Sequence, residues 1–564
     1  MVMAMATNKA CMKKYSDRDH RAGTERWKPT EKAGRADSKR CANRRIASWE
    51  IAFAATALGA AFVSSAGSAQ SLPVEPPRAA SVAPITAWQF TPQISVEETY
   101  TDNGELVPSA TARNNWITDS VFGMRIEKRG VRSRVYFDYR LHNFSYSRDS
   151  QLNNTQRLLN SYVTVEAIDR WLFVDASAKI TQQNRSAFRF SAATDASGVN
   201  GNRIETTINQ VSPHIRGKLA DIAAYQLRFV GADIRSNDTV LPDTRHKQWT
   251  GFIKSESVGS GVGWSIDGNA ISFRNNTVGR AHDERVRGTV SYEFSAQIQI
   301  SAIGGSEVTN FAGSRNGATT SGIGFAWSPD VRTQFAAVKE KRFFGDSHSV
   351  SFSHRTALSA WRLTSTRDVS SLSGQLAASG SGSISSLLSD LLVSAIPDRI
   401  AREAAVRQKL EASGISGNSA LSGGFATGRA FVIRNEEASV ALTGVYNTVT
   451  LTFSRRDQRG FGPTTVGTDS FSLSNDIRQE GVNLSWSYRL SPLSSLSLVA
   501  TSLRSEALYK IGLDSSQRTV NLLFSTRIGV NTFATLGARR VNFENSANTG
   551  YRENAILGSV SLRY

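Results

Sequence analysis

The side chains that could do chemistry in this sequence are scattered. Beyond residue 69 there are six histidines, at His142, His214, His246, His282, His348 and His354. None has the H-E-x-x-H spacing or another metal-ligand spacing, and no G-x-S-x-G elbow for a nucleophilic serine is present. Ser353 and His354 could serve as a nucleophile and its base. However, neighbouring residues in a strand point to opposite faces, so these two side chains cannot pair directly. We therefore predict no catalytic residue, no metal site, no cofactor and no enzymatic activity.

A second group of charged residues alternates with apolar neighbours along the chain. Because successive side chains of a strand point to opposite faces, these residues would share one polar face of a sheet. If the sheet closes, that face lines a lumen, and an arginine-lined pore favours anions. The alternative is a ladder of charges that only stiffens the wall. The candidates for lumen-facing positions are Asp138, Arg140, Arg287, Glu293, Arg489 and Arg527.

Period-two alternation is the dominant signal after residue 86. Val482, Leu484, Trp486 and Tyr488 alternate with polar residues, for example. About 22 such segments (range 18–22) have roughly the 9–11 residues or more that a tilted strand needs to cross a bilayer. The pattern predicts an all-β fold, a transmembrane antiparallel β-barrel of the bacterial outer membrane over residues 87–564.

The lengths of the connections distinguish this barrel from a soluble β-sandwich, which would also show the alternation. Outer-membrane barrels have short periplasmic turns and longer extracellular loops. Going backwards from the C-terminus, long and short connections alternate over residues 544–551, 528–531, 507–516, 491–494 and 457–480. Both termini then lie on the short-turn side, which requires an even number of strands.

The last strand carries Val560, Leu562 and the terminal aromatic Tyr564 on one face. This pattern is typical of the terminal strand that the outer-membrane barrel assembly machinery recognises. We therefore expect that machinery and outer-membrane lipids as partners.

The N-terminus predicts export. Residues 1–69 form an N-terminal extension and signal peptide, with an apolar segment over residues 51–63 and cleavage after Ala69. Residues 70–86 are a Pro-rich periplasmic linker. Both cysteines, Cys11 and Cys41, precede the cleavage point, so the mature chain has no disulfide. The expected location is the outer membrane of a Gram-negative bacterium, after Sec-type export.

Residues 371–427 interrupt the strand pattern with a Ser/Gly-rich and helical insert on the extracellular side. Apolar residues recur at helical spacing, and Pro397 separates two segments. The insert could be a lid, fold into the lumen as a plug, bind a partner, or only cover itself. The residues of the possible plug helices are Leu387, Leu388, Leu391, Leu392, Ile400, Val406 and Leu410.

Several strand and turn motifs resemble those of the outer-membrane proteins associated with PEP-CTERM/exosortase systems of Gram-negative bacteria. The similar segments are 94–103, 171–178, 327–333, 341–347, 351–356 and 396–403, together with Trp361. The resemblance covers nearly all of residues 87–564. It implies a role in exopolysaccharide export or surface assembly, with polysaccharide-export components as partners.

Composition limits the other function classes. The formal net charge is +18, but no basic run interleaved with aromatic residues follows residue 69, so we expect no nucleic-acid partner. Three hypotheses remain. The first is a channel or scaffold for polysaccharide export, the second is a general porin or transporter, and the third is a barrel enzyme acting on surface lipid or polymer.

Overall fold

The barrel is described by a computed structural model. The described residues are 88–190, 202–220, 222–238, 241–255, 261–276, 279–311, 313–370, 388–390, 392–393, 396, 402, 405–406, 409–410, 424–461, 469–509, 513–546 and 549–564. The N-terminal extension, the signal peptide with Ala69, and the linker 70–86 lie outside this part of the chain.

The described elements are almost all strands, in agreement with the period-two pattern. Among the described residues, no helix is long and apolar enough to cross a bilayer. A 3₁₀ turn spans Ser150–Leu152 and a short helix spans Ser470–Leu473. The strands are β1 (Gln89–Thr101), β2 (Asn115–Arg129), β3 (Ser133–Tyr146), β4 (Asn154–Ile168), β5 (Leu172–Asn184), β6 (Arg203–Leu219), β7 (Ala223–Ser236), β8 (Thr244–Ser255), β9 (Val262–Asn275), β10 (Gly279–Ser295), β11 (Ile298–Thr309), β12 (Asn316–Asp330), β13 (Thr333–Arg342), β14 (Gly345–Arg355), β15 (Ser359–Ser370), β16 (Phe431–Thr443), β17 (Asn447–Gly460), β18 (Asp476–Arg489), β19 (Ser494–Ala507), β20 (Asp514–Arg527), β21 (Thr532–Asn545) and β22 (Tyr551–Arg563).

These 22 strands form one closed antiparallel sheet, in which each strand pairs with its neighbours in sequence. The ring closes where β1 pairs with β22, with Gln93 opposite Arg563 and Thr101 opposite Ala555. Closure leaves the sheet without a free edge, so the strands satisfy each other's backbone groups. The predicted all-β barrel and its strand number are confirmed.

The two faces of the sheet differ in the way that a bilayer requires. In β1 and β2, Ile94, Val96, Phe122 and Met124 are exposed on the outer face. The partner face carries polar residues such as Asp119, which is buried inside the ring. The apolar side chains of the outer face are in a favourable environment when they contact lipid tails. The polar side chains of the other face remain in the lumen, away from hydrocarbon.

Aromatic residues lie near the ends of the strands on this outer face. Trp116 and Tyr100 are in contact near one end of β1 and β2, with ring centroids 5.1 Å apart. Trp88, Trp171 and Trp361 are exposed near the other end. Trp327 differs from these, because its ring packs against Ala336. Such aromatic girdles mark the two interfaces of a membrane.

The connections divide into two sets at the two ends of the barrel. Connections after even-numbered strands are short turns, such as 130–132, 296–297 and 490–493, and both ends of the sheet lie on that side. Most connections after odd-numbered strands are longer, up to the insert between Ser370 and Phe431. The connections 343–344 and 276–278 are short although they follow odd-numbered strands, and the connection 256–261 after β8 is longer than the other periplasmic turns. By the rule for outer-membrane barrels, the short turns are periplasmic and the long loops are extracellular.

The two faces provide a matched test at the middle of β20. Val520 lies on the lipid face, 45% exposed, and its neighbour Asn521 faces the lumen. We expect Val520→Arg to lower the free energy of unfolding by about 2–4 kcal/mol, because the charge would lie in hydrocarbon. Asn521→Arg, with its charge in the lumen, should cost much less. Chemical unfolding of the refolded barrel in lipid vesicles measures both, and equal losses would contradict the assignment of faces.

Candidate functional site in the barrel lumen

Ion pairs line the lumen where β2 and β3 meet. The carboxylate of Asp138 pairs with Arg125 and with Arg140, each at 3.1 Å. It also accepts a hydrogen bond of 3.2 Å from the hydroxyl of Tyr136. Arg125 lies directly opposite Asp138 in the register of the two strands. Asp138 and Arg140 therefore form part of a local network on the lumen face.

A second network lies on the wall formed by β9 to β15. The guanidinium of Arg287 is buried and pairs with Asp267 at 2.9 Å and with Glu340 at 2.6 Å. One level nearer the extracellular end, Arg342 pairs with Glu307 and Asp368. Buried charges are tolerated only when they are paired and hydrogen-bonded. The contacts of Arg287 tie strands together across the wall.

The other predicted lumen residues lie at the periplasmic ends of their strands. Arg489 donates a hydrogen bond of 3.0 Å to the carbonyl oxygen of Val445, and Arg527 donates one of 3.0 Å to that of Gly529. Glu293 is exposed near the end of β10. Arg489 and Arg527 thus form hydrogen bonds with backbone carbonyl groups of periplasmic turns. That these six residues line an open pore stays a prediction.

The described residues of the insert lie inside the barrel. Leu388, Val406 and Leu410 are buried together, and Leu392 packs against them. The same cluster contacts Val499, a residue of β19 that faces the lumen. Leu387, Leu391 and Ile400 lie outside the described residues. The contact with Val499 places this part of the insert against the inner wall.

Polar contacts place the insert in the periplasmic half of the lumen. Asp390 forms an ion pair with Arg362, a lumen-facing residue near the periplasmic end of β15. Burial lowers the pKa of Lys409, and the Arg489 guanidinium lowers it further. Arg489 is the last residue of β18, beside a periplasmic turn. The described residues of the insert therefore lie nearer the periplasm than Ser370 and Phe431, which are at the extracellular end of the barrel.

An arginine joins the parts of the insert to one another. Arg402 donates hydrogen bonds of 3.0 Å to the hydroxyl of Ser389 and 3.0 Å to the carbonyl oxygen of Ile396. The insert thus has internal polar contacts in addition to its apolar cluster.

A layer of apolar residues crosses the extracellular end of the barrel. Phe188, from the loop after β5, packs in one cluster with Phe425, Phe431 and Phe471. Phe471 belongs to the loop before β18, on roughly the opposite side of the ring. Contact between these loops therefore spans the lumen. Ala426 extends the layer to a second buried cluster with Ile204, Ile234 and Leu241.

Hydrogen bonds hold this layer to both sides of the barrel. The amide of Ala187 donates to the hydroxyl of Ser470 at 3.1 Å. The amide of Ala426 donates to the carbonyl oxygen of Asn184 at 2.8 Å. The side chain of Asn275 donates to the carbonyl oxygen of Gly428 at 2.9 Å. The segment 424–430, which leads directly into β16, is therefore hydrogen-bonded to the ends of β5 and β9 on other parts of the ring.

The geometry of the histidines bears on catalysis and metal binding. Ser353 lies opposite Arg362 on the lumen face, whereas His354 pairs in register with Trp361 on the outer face. The ring of His354 contacts the hydroxyl of Thr333 at 2.9 Å. Within the described part of the chain, no group of three or more His, Cys, Asp or Glu residues could hold a metal ion.

Comparison with solved structures gives matches to membrane barrels. The FrpB iron transporter from Neisseria meningitidis (F5-1 variant, apoprotein) is 8% identical, with 84% of this chain and 81% of that chain covered and a TM-score of 0.44. The siderophore receptor PirA from Acinetobacter baumannii is 7% identical, with 84% and 80% covered and a TM-score of 0.44. OprD from Pseudomonas aeruginosa is 6% identical, with 84% and 95% covered and a TM-score of 0.30. No protein-family model and no curated protein matches the chain.

The closed ring with its apolar outer face decides the class of the protein. The chain is a Gram-negative outer-membrane β-barrel. Its architecture is channel-like, because a ring of 22 strands encloses a wide lumen. Val560 and Leu562 lie on the outer face of β22, in register with Val96 and Ile94 of β1. Their role as an assembly signal, together with that of Tyr564, stays a prediction.

Sequence reasoning did not find the residues that join the insert and the loops to the wall. No sequence pattern indicates that Asp390 and Arg362 form an ion pair. Phe188 and Phe471 likewise lie far apart in the sequence. Only the closure of the ring brings these residues together.

The contact across the extracellular end can be tested by cross-linking, because residues 70–564 contain no cysteine. We expect Ala187→Cys with Ser470→Cys to form a disulfide under mild oxidation, since the 3.1 Å contact between the amide of Ala187 and Oγ of Ser470 limits the separation of the two Cα atoms to about 7 Å, the upper end of the disulfide range. Altered mobility on a non-reducing gel measures it. Each single variant serves as the control, and a folded double variant that stays reduced would contradict the contact.

The seating of the insert can be tested through its ion pair. Arg362→Asp places a second carboxylate beside Asp390, so repulsion should weaken the contact between the insert and the wall. We therefore expect trypsin to cleave after Arg402 or Lys409 up to about fivefold faster, the effect of losing a partly exposed ion pair. The charge swap, Arg362→Asp with Asp390→Arg, should restore the parent rate. A swap that cleaves as fast as the single variant would argue against this contact.

Proposed function

We propose that this protein is a gated outer-membrane conduit for the export of a surface polysaccharide. One observation carries the proposal: the insert lies inside the lumen and contacts Arg362 and Val499 on the wall. A barrel of this width needs something to restrict its lumen, and here the chain's own insert fills that role. Passage of a polymer would require the insert to move.

The lumen wall supports an insert that can leave. Thr450, Thr452 and Asn483 face the lumen on β17 and β18 and are buried. Within the described part of the chain, the hydroxyl oxygens of the two threonines and the amide oxygen of Asn483 have no hydrogen-bond partner. A permanently docked domain would be expected to pair such groups. A polar wall without matching partners favours a reversible contact, and it suits a hydrated polymer.

The resemblance to the PEP-CTERM-associated outer-membrane proteins supports a polysaccharide as the substrate and polysaccharide-export components as partners. The charged lumen adds little to that choice, because Asp138, Arg287 and Arg342 are engaged in ion pairs. The assignment of the polymer therefore rests on the resemblance.

The other hypotheses are less well supported. A general porin needs a continuous aqueous path, whereas here the layer around Phe425 and Phe471 crosses the extracellular end. An enzyme that used Ser353 and His354 would need both side chains on one face, but the register separates them. We therefore propose a non-enzymatic role. A static scaffold for polymer assembly is the second candidate, favoured by that same apolar layer.

The conduit can be tested by single-channel conductance of the mature chain, residues 70–564, in planar bilayers. Removal of residues 371–427 joins β15 and β16, which are already paired neighbours, through a short turn. We expect low conductance for the parent and a large, stable conductance for the shortened chain, because the insert no longer fills the lumen.

Two comparisons make this test decisive. The first comparison uses the chain with its insert and with both Ala187→Cys and Ser470→Cys. Oxidation of this variant should abolish the low conductance of the parent, and reduction should restore it. A verified, inserted barrel that never conducts in either form would contradict the conduit and support the scaffold. In cells, deletion of the gene should abolish the surface polymer and leave uptake of small solutes unchanged.

A further inference from the structure

The outer face of the barrel carries charged residues as well as its apolar band, towards the extracellular ends of the strands. On β16 to β19 these charges alternate in sign, and one register row consists of Arg434, Asp457, Arg478 and Glu506. Arg478 forms ion pairs with Asp457 at 2.7 Å and with Glu506 at 3.6 Å. This part of the outer face therefore neutralises its own charge.

On β13 to β15 the same row loses its alternation. It continues from Arg434 over three strands, each with a basic residue or a histidine: Arg367 of β15, His348 of β14 and Lys339 of β13. Lys341 lies one step further towards the extracellular end on the same face of β13. Glu340, between the two lysines, is buried in the lumen beside Arg287, so the lysines point outwards.

These basic residues lie where the apolar band of the outer face ends. On β12, the exposed Ile323 is opposite Lys339, and the next residue of that face towards the extracellular end is Ser321. On β13, Phe335 and Ala337 precede Lys339. Lys339 is roughly 20 Å along its strand from the periplasmic end, at about 3.3 Å per residue. A long basic side chain there extends its charge out of the hydrocarbon towards the lipid headgroups.

Positive charge is in excess on this wall. In the extracellular halves of the outer faces of β12 to β16, the described basic residues outnumber the carboxylates by two: Lys339, Lys341, Arg367 and Arg434 against Asp346 and Glu436. The carboxylates on the lumen side of the same strands are matched by lumen arginines, in ion pairs for Glu340 and Asp368 and through electrostatic attraction for Glu437. Two positive charges therefore remain on the outer face.

The contacts within this group leave its cations accessible. The ammonium of Lys339 is 3.3 Å from the carboxylate of Asp346, with side chains that are 66% and 63% exposed, and such exposed pairs are weak. Lys341 is exposed, and within the described part of the chain its ammonium has no ion pair or hydrogen bond. Arg367 donates a hydrogen bond to the carbonyl oxygen of Asp346 and lies over the ring of Phe344, 5.4 Å from the centroid.

We propose that Lys339, Lys341 and Arg367 form a binding site for a phosphate group of the glycolipid in the outer leaflet. In a Gram-negative outer membrane this glycolipid is lipopolysaccharide, whose lipid A carries its phosphates at the boundary between hydrocarbon and water. Guanidinium and ammonium groups form strong, charge-assisted hydrogen bonds with phosphate. The acyl chains would contact Ile323 and Phe335 below. The site is on the outside of the barrel, so it is independent of the proposed conduit.

Binding can be measured on the protein extracted from outer membranes in detergent and stripped of lipid. Native mass spectrometry counts the bound molecules during titration with diphosphoryl lipid A. We expect Lys341→Gln to weaken binding of the first molecule about fivefold, as the loss of one basic residue at an anionic lipid surface does. Lys341→Arg should bind like the parent, because the charge remains.

A matched control separates this site from the general charge of the outer face. Arg478→Gln also removes one positive charge from the outer face, but from the row in which Asp457 and Glu506 oppose it. We expect it to leave binding of lipid A unchanged. The heat-dependent gel mobility of each variant confirms that it is folded.

Two further ligands distinguish the source of the phosphate. Phosphatidylglycerol, with one phosphodiester, should bind more weakly than diphosphoryl lipid A. Inorganic phosphate in millimolar excess should not displace lipid A, because it lacks the acyl chains that contact the apolar band.

Four outcomes would overturn the inference. They are no binding of lipid A, parent-like binding by folded Lys341→Gln, an equal loss in Arg478→Gln, and equal binding of phosphatidylglycerol. Displacement by inorganic phosphate would also contradict it, because the site would then take free phosphate and not the glycolipid. None of these results alters the conductance expected of the conduit, so the two proposals fail separately.

Discussion

The backbone hydrogen-bond ladder that closes on itself between β1 and β22 is the interaction on which the rest of the structure depends. In hydrocarbon, each unpaired amide or carbonyl group costs several kcal/mol, so a sheet can span a bilayer only as a closed ring. Closure also separates an outer face from an inner one. It thereby decides that residues such as Phe122 contact lipid and that residues such as Asp119 lie inside.

The inner face can hold charges because the ring surrounds them with partners. Arg287 forms ion pairs with Asp267 and Glu340, and the three residues belong to three different strands. Asp138 contacts Arg125, Arg140 and Tyr136. Each network crosses from strand to strand, so it reinforces the same neighbours that the backbone ladder joins. The positive charge on the lumen wall is in this way largely used for structure.

The lumen is restricted at two levels by different chemistry. Near the extracellular end, phenylalanine rings from loops on opposite sides of the barrel form an apolar layer. Towards the periplasm, the insert is held by a small apolar contact with Val499 and by the partly exposed ion pair of Asp390 and Arg362. Small contacts with a polar wall are easier to break than a dry interface, which fits a device that opens.

By itself, the sequence determined the all-β class, the strand number, the placement of the first strand's start and the last strand's end at the short-turn end of the barrel, and the position of the insert between β15 and β16. Alternation, connection length and helical spacing are local properties, so they can be read without knowledge of the fold. The tertiary structure alone decided that the insert enters the lumen, that Phe188 meets Phe471, and that Arg489 and Arg527 hold turn carbonyls. Those contacts join residues from different strands and loops, and no local pattern encodes them. They depend on the closure of the ring, which alone brings opposite walls within reach of each other.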